Sequence, residues 1–292
     1  MTGRKLILTC ILSMAIFSLP LFASEVEEAV SVYKSTNGSL YLQPLADSFG
    51  ASLNSGFSYS ADIPKWGFHV RFGLKAFGAI ITDDQKSFTS VTEGLLPGGL
   101  NLPTVFGDEN PITIPIGNEN VQVFGVWETS FLPLLVPQLT VGSLNGTEFT
   151  GRWFQMDIGD IGNLSLLGLG ARHSISQYIP LLPVDIAVGA FWQSFKVGDI
   201  IDATALYAGV QASIPVSILT FYGGIGYEKA SMDISYTYSQ GGTSIPIAFS
   251  LDADNHMRAA LGLGIDIWIF NIHADYNMAA QSVLTLGAGV GF

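Results

Sequence analysis

The sequence predicts a transmembrane antiparallel β-barrel of about 12 strands, within a range of roughly 10–14, with short N-terminal helices as a hatch or plug. The chain has 292 residues, of which 48% are hydrophobic and only 12% are charged, about half the charged share of a soluble domain. Beyond residues 1–23, no run of about 20 apolar residues could cross a membrane as a helix. Apolar residues instead alternate with polar ones over long stretches, which is typical of strands with one apolar face.

Residues 1–23 have the features of a secretory signal peptide. The basic pair Arg4-Lys5 precedes the apolar stretch 6–19, and a small-residue cleavage site ends at Ala23. The only cysteine, Cys10, lies inside this segment. The mature chain is therefore expected to lack disulfides and thiol chemistry, so its stability must come from a sheet or from the bilayer.

Residues 24–60 are predicted to form a helical hatch. Ser24 and Glu27 make a capping box, Asn37-Gly38 is expected to end this first helix, and Pro44 fits the first turn of a second. Two interpretations remain open, an appendage packed on an apolar surface or a plug in the mouth of a barrel. In the second, the helices occlude the periplasmic end. The apolar face of the second helix is expected to hold Leu42, Leu45, Phe49 and Leu53.

Residues 61–292 are predicted to form the barrel. From Trp66 to Ile80, aromatic and aliphatic residues alternate with glycine, histidine, arginine and lysine, too long a pattern for an ordinary globular strand. Asn145-Gly146 is a good two-residue hairpin turn between two of the later strands. We expect further strands at 87–94, 118–128, 138–144, 147–154, 162–177, 184–196, 201–214, 217–233, 255–267, 269–278 and 284–292.

The apolar face of each strand is expected to meet lipid and the polar face to line the lumen. The charged lumen residues are either a selectivity lining or a set of neutralising pairs in a filled interior. The second interpretation is favoured, because barrels with aqueous channels usually have about 16 to 18 strands. The lumen-lining candidates are His69, Arg71, Lys75, Asp185, Glu228, Arg258, Asp266, His273 and Asp275.

Loop lengths predict the orientation of the barrel. With the C-terminus in the periplasm, the short turns near Pro215 and Trp268 are periplasmic, and the segments 95–117 and 235–254 are long external loops. Trp66 and Trp268 then lie together at the periplasmic interface, as an aromatic girdle requires.

Catalysis, metals and nucleic acid receive no support. His273 and Asp275 share a strand face, which suits a pair bracing the wall better than a base with its orienting carboxylate. His173 and Ser174 are sequence neighbours that point to opposite faces, so they cannot form a dyad. The formal charge of −12 argues against nucleic acid. We expect no enzyme activity, no cofactor and no metal.

The C-terminus resembles the terminal strand by which bacterial outer-membrane barrels are recognised by their assembly machinery, with Leu286, Val290 and Phe292 as the signal. Residues 41–81 and the segment 102–107 (Leu-Pro-Thr-Val-Phe-Gly) resemble an uncharacterised outer-membrane barrel family, which implies a barrel but no established activity. The chain is more distantly similar to long-chain fatty-acid channels, which also have a helical hatch, although it lacks their Asn-Pro-Ala motif.

Together these features predict an exported outer-membrane barrel of a diderm bacterium. The leading hypothesis is a passive channel or binding site for small apolar or amphipathic solutes. The alternative is a structural or surface-interaction barrel that uses its external loops, and a lipid-modifying enzyme is the least favoured. Expected partners are outer-membrane lipid, the barrel-assembly machinery and a small apolar solute.

Overall fold

A computed structural model describes Ala29, Tyr33 and residues 35–292, except 95, 117–118, 158–161, 180 and 241–242. The predicted signal peptide, 1–23, lies outside the described residues. Among those residues, no helix combines the length and the apolar character needed to cross a membrane.

The described chain contains one long helix, α1 (Ser35–Leu53), followed by strands with short connections. Single 3-10 turns lie at Asp83–Gln85 and Ser176–Tyr178. The strands are β1 (Trp66–Ile80), β2 (Ser87–Thr89), β3 (Asn101–Pro103), β4 (Ile112–Ile116), β5 (Glu119–Val123), β6 (Phe131–Leu144), β7 (Thr147–Asp157), β8 (Asn163–Ser174), β9 (Asp185–Val197), β10 (Ile201–Val216), β11 (Leu219–Gln240), β12 (Thr243–Asp252), β13 (Met257–Ile267), β14 (Phe270–Met278) and β15 (Val283–Gly291).

The long strands close into an antiparallel ring, which confirms the predicted all-β barrel. The order is β10-β9-β8-β7-β6-β1-β15-β14-β13-β11, and pairing between β10 and β11 completes the circle of ten. β13 pairs with residues 219–227 of β11, whereas β12 pairs with residues 231–240. β12 therefore lies in line with β13 as an eleventh strand beyond the ring.

The number of ring strands, ten, is at the lower limit of the predicted range. The expected barrel strands at 87–94 and 118–128 are wrong, because β2 pairs only with β3 and β5 only with β4. The expected external loops contain strands: 95–117 contains the short β3 and β4, and most of 235–254 belongs to the end of β11 and to β12. In 95–117, four prolines obscured the short strands from a prediction based on alternation.

The two ends of the ring differ, and we call them the terminal end and the distal end. At the terminal end, the Val70 amide donates to the Phe292 carbonyl at 2.9 Å, and Trp66 and Trp268 lie on the outer surface nearby. At the distal end, residues 81–130 form a cap over the lumen. Val105 and Phe106 of this distal cap are fully buried, and the Val105 amide donates to the Tyr41 carbonyl of α1 at 3.1 Å.

The first predicted hatch helix, which begins at Ser24, lies largely outside the described residues, and α1 differs from the second in extent and position. α1 runs through Asn37-Gly38, where a break was expected, and Pro44 lies in its interior rather than in a first turn. Contacts with the distal cap place α1 in the distal half of the ring, away from Phe292, so a periplasmic C-terminus and a periplasmic end occluded by the helices cannot both hold for α1. Glu93 of the distal cap explains the helix start, since its carboxylate accepts from the Thr36 and Asn37 amides at 3.0 and 3.2 Å.

The outside of the ring is an apolar belt with aromatic borders. Trp66 and Phe68 are 66% and 76% exposed at the terminal end. Trp153 and Trp192 are also exposed and mark the other border, because the outward residues after them on β7 and β9 are polar. The outward positions between the borders are mostly apolar, which leaves a continuous apolar surface around the barrel.

The contact between α1 and β12 can be tested at Gly38. A Cβ atom there would overlap the Phe249 ring. Alanine normally favours a helix by about 1 kcal/mol over glycine. We nevertheless expect Gly38→Ala to destabilise the barrel by about 1–3 kcal/mol through overpacking, measured by denaturant unfolding in detergent micelles. In a Phe249→Ala background the same change should be neutral or stabilising, and destabilisation of both backgrounds would contradict this packing.

Candidate functional site

The candidate site is the lumen of the ring, which is occupied by α1 and the extended segment 54–65. We call residues 35–65 the plug. Of the predicted hatch residues, Leu42, Leu45 and Leu53 are fully buried, and the Phe49 ring lies 5.2 Å from the Phe195 ring of β9.

The predicted lumen-lining residues lie on the inner face of the ring. Asp185 is opposite Ser213 in the β9–β10 register, and the Ser213 hydroxyl accepts from the Ala61 amide of the plug at 2.8 Å. Asp185 therefore lies at the inner rim of the terminal end. Buried contacts surround the remaining candidates, which fall into three clusters: His69 and Arg71; Glu228 and Arg258; and Lys75, Asp266, His273 and Asp275.

The first cluster is centred on Glu148, a carboxylate of β7 that is 1% exposed. Arg172 forms a double hydrogen bond to it, with the Nε donor at 2.9 Å. Its second oxygen lies 3.2 Å from His69 Nε2 and 3.6 Å from Arg71 Nη1. Glu148 thus neutralises cationic groups from β1 and β8, which ties together strands that are not neighbours in sequence.

The second cluster joins Arg258 of β13 to Glu228 of β11, with both side chains almost fully buried. The Arg258 Nη2 atom is 2.8 Å from the Glu228 carboxylate and also donates to the Ala51 carbonyl near the end of α1, again at 2.8 Å. Its Nη1 atom donates to the Ser55 hydroxyl and to Asn277. A wall ion pair is thereby connected directly to the plug.

The third cluster contains Lys75 and three residues of β13 and β14. Lys75 Nζ lies 2.5 Å from His273 Nε2, and the Tyr59 ring of the plug stacks on His273 at 4.7 Å. Asp275 accepts from the Tyr222 hydroxyl at 2.8 Å rather than from His273. Within the residues that the structure describes, no hydrogen bond joins His273 to Asp275, so the arrangement has no base held by an orienting carboxylate.

Tyr59 extends the third cluster towards the terminal end. Its hydroxyl donates to the Asp266 carboxylate at 2.7 Å. The plug therefore also donates to the wall, in addition to accepting from it.

Arg152 of β7 has a different environment from the other lumen cations. It is 1% exposed, and among the described residues no carboxylate lies within ion-pair distance of it. Its Nη atoms donate to the carbonyls of Leu53 and Ser55 at 3.1 and 2.8 Å. Its Nε donates to Gln138 at 2.9 Å, and the guanidinium carbon lies 4.2 Å from the centre of the Phe57 ring. The carbonyls at the α1 C-terminus therefore make direct contacts to this charge, and Asp275 is a more distant counter-charge.

The wall binds the plug chiefly through backbone carbonyls. Seven plug carbonyls accept hydrogen bonds from side chains of the ring, and the donors come from the five adjacent strands β6 to β10 and from β13. The pairs are Ala51 with Arg258, Leu53 with Arg152 and Gln193, Ser55 with Arg152, Phe57 with Gln138, Ser58 with Gln211, Ser60 with Arg172, and Pro64 with Ser143.

Little space remains around the plug in the described lumen. One cavity of about 60 Å³ is lined by Phe57, Phe191, Tyr207, Arg172 and Arg258, among others. A second, of about 30 Å³, lies beside Tyr59, Lys75 and Glu148. A water molecule needs about 10–15 Å³ by this measure, so the two cavities hold a few waters and no larger solute.

Near the distal end, Asp47 of α1 joins the plug to the connection between β12 and β13. Its carboxylate accepts from the Asp254 amide at 2.8 Å and from Gln43 at 3.0 Å. Burial raises the pKa of Asp47 above its ordinary value, although these two donors lower it in part. No group of three or more potential metal ligands occurs in the part of the chain that the structure describes.

Sequence reasoning missed the residues that hold the plug most closely: Glu148, Arg152, Arg172, Gln138 and Gln193. The signal was present in the same alternation that identified the other lumen residues. In β7, Glu148, Thr150 and Arg152 alternate with outward Phe149, Gly151 and Trp153. The predicted assembly signal lies on the outside, where Leu286, Val290 and Phe292 are 53%, 41% and 82% exposed.

The Glu148 cluster predicts a large stability effect for a near-isosteric change. Glu148→Gln leaves the buried Arg172 guanidinium without a counter-charge, and we expect a loss of about 3–5 kcal/mol in the free energy of unfolding. The matched control is Asp202→Asn at the half-exposed pair with Lys196, which should cost no more than about 1 kcal/mol. Denaturant unfolding in micelles measures both, and equal losses would contradict the role of Glu148.

Comparison with known proteins gives a family and several weak structural likenesses. The attachment invasion locus protein Ail of Yersinia pestis is 12% identical, with 77% of this chain and 97% of that chain covered and a TM-score of 0.25. The transport unit of the autotransporter AIDA-I from Escherichia coli is 11% identical, with 88% and 98% covered and a TM-score of 0.32. A Rhodopseudomonas blastica porin mutant is 9% identical, with 76% and 100% covered and a TM-score of 0.18.

Likenesses this weak carry no conclusion about what the chain does. No curated protein matches it. A family model, however, matches residues 3–292, nearly the whole sequence. The chain therefore belongs to the family of unknown function DUF6588.

Proposed function

We propose that this protein is an outer-membrane barrel of a diderm bacterium, whose lumen is a gated passage or binding site for small apolar or amphipathic solutes. The observation that carries the proposal is a continuous apolar exterior around an interior held by polar contacts. The plug closes the passage at rest. In this proposal, outer-membrane lipid covers the apolar belt, and the barrel-assembly machinery recognises the strand that ends at Phe292.

The exterior supports the membrane location. Soluble monomers rarely expose a contiguous apolar patch of more than a few hundred Å². Here Phe221, Ile225, Leu261 and Ile272 are each at least 50% exposed on neighbouring strands. Tryptophans at both borders of the belt suit the two interfaces of a bilayer, where amphipathic rings are favoured.

The plug supports a closed resting state that can open. It is held by hydrogen bonds, which water can replace, and no covalent bond fixes it across the lumen. The hydroxyls of Ser48 and Ser52 are buried without hydrogen-bond partners in the described structure, and Pro44 removes one backbone donor inside α1. These features lower the cost of moving the helix, because burial leaves its polar groups incompletely satisfied.

A surface-interaction barrel is the second candidate, and the order of the distal cap favours it. The cap contains two paired hairpins and buried apolar residues instead of loose loops. Its outer surface is acidic, with exposed carboxylates at Asp83, Asp84, Asp108 and Glu109. Such a surface suits a partner with positive charge.

Conductance in planar bilayers tests the gated passage. We expect the full chain to be mostly silent, and Arg152→Gln to raise the open probability at least several-fold, because it removes the charge that holds the end of α1. Lys196→Gln, on the outer surface, is the matched control and should stay silent. Both variants must keep the electrophoretic mobility of the folded barrel in unheated samples. Two results together would rule out passage. The Arg152→Gln variant would be silent, and liposomes that contain the variant lacking residues 24–60 would still exclude an uncharged amphipathic dye.

Shortening one hairpin of the cap tests the second candidate. Thr113 pairs with Gln122, so residues 113–122 can be replaced by an Asn-Gly turn that keeps Ile112 beside Val123. If the barrel acts through this surface, adhesion of expressing cells to polylysine-coated beads should fall while the barrel stays folded. Unchanged adhesion would remove the support for this hairpin as a binding surface.

A further inference from the structure

The plug passes through the whole lumen, from one end of the ring to the other. At the distal end, the Asn37 side-chain amide donates to the Val91 carbonyl at 3.0 Å. At mid-height, the Leu53 carbonyl meets Arg152. At the terminal end, the Lys65 carbonyl accepts from the Gly146 amide at 3.0 Å, immediately before β1 begins.

The plug therefore begins on the distal side. Tyr33 confirms this direction, since its ring lies 5.4 Å from the Tyr41 ring and 5.8 Å from the Phe88 ring of the distal cap. The C-terminal Phe292 lies at the opposite end, bonded to Val70. The start of the plug and the C-terminal residue therefore lie on opposite sides of the apolar belt.

The wall contacts show what kind of ligand the lumen accommodates. Of the plug groups bound by ring side chains, most are backbone carbonyls, and these belong to alanine, leucine, serine, phenylalanine and proline residues. Every non-terminal residue of a polypeptide offers such a carbonyl, so this recognition depends little on side-chain identity. Three arginines and three glutamines supply most of the donors, which suits carbonyl acceptors spaced along a peptide.

We propose that the lumen is a polypeptide conduit, whose resident ligand is the plug segment of the same chain, and that the start of this segment faces the cell surface. The inference rests on the outer-membrane assignment proposed above. It adds a function that solute passage does not require. A plug whose chain enters and leaves the lumen on the periplasmic side would close a channel equally well.

Cysteine labelling tests the display directly. The sequence has one cysteine, Cys10, inside the predicted signal peptide, so each introduced thiol is expected to be single in the mature chain. Three exposed positions report the geometry: Thr36→Cys at the start of the plug, Asp108→Cys in the distal cap and Lys65→Cys at the terminal end. A membrane-impermeant maleimide is applied to intact cells and to cells with a permeabilised outer membrane.

We expect Thr36→Cys and Asp108→Cys to react in intact cells, and Lys65→Cys to react only after permeabilisation. Reaction of Asp108→Cys without Thr36→Cys in intact cells would overturn the display but keep the membrane orientation. Reaction of Lys65→Cys alone, or of none of the three, would overturn the orientation as well. If Thr36→Cys fails to fold, an epitope inserted after Ala23 replaces it. Antibody binding to intact cells would then support the display, and binding only after permeabilisation would overturn it.

A second experiment tests recognition of the backbone. Ser58 offers its carbonyl to Gln211 at 2.9 Å, while its hydroxyl bonds within the plug to the Ser60 carbonyl. Ser58→Ala should shift the heat-unfolding midpoint of the barrel by no more than about 1–2 °C, whereas Gln211→Leu should lower it by several degrees. A larger shift for Ser58→Ala than for Gln211→Leu would show that side chains, and not carbonyls, hold the plug.

Discussion

The buried guanidinium of Arg152 imposes a constraint on the whole interior. A charge removed from water is costly unless it is paired, and no carboxylate of the described residues lies within ion-pair distance of this one. The end of α1 provides the missing negative potential through the carbonyls of Leu53 and Ser55. Without the plug, the ring would leave this buried charge without its closest acceptors, and the plug supplies them.

The remaining lumen groups extend the same relation. Glu148 and Glu228 satisfy arginines of the wall, and those arginines use their spare donors on the plug at Ser60 and Ala51. The ion pairs of the wall therefore serve two purposes, since they fix the ring and orient donors towards its centre. A filled interior with neutralised charge, one of the two interpretations offered by the sequence, is the arrangement that the contacts show.

The alternation of apolar and polar residues was sufficient to predict the barrel. Successive side chains of a strand point to opposite faces, so the sequence itself shows which residues share a face. The strand count was less accessible, since 87–94 and 118–128 look like strands but pair locally in the distal cap. The position of α1 could not be predicted, because its placement depends on partners such as Glu93 and Phe249 that are distant in sequence. Arg152 and Arg172 obey the alternation, yet only the structure shows that their partners are carbonyls of the plug.

The covalent continuity of the plug with β1 determines how it competes with other ligands. The plug ends at Lys65 and β1 begins at Trp66, so a displaced plug stays within a short tether of its site. Tethering of this kind gives effective concentrations in the millimolar range, independent of how much protein a cell makes. A free peptide or solute therefore has to bind the lumen tightly, or be abundant, to keep the barrel open, and reclosure is a unimolecular event.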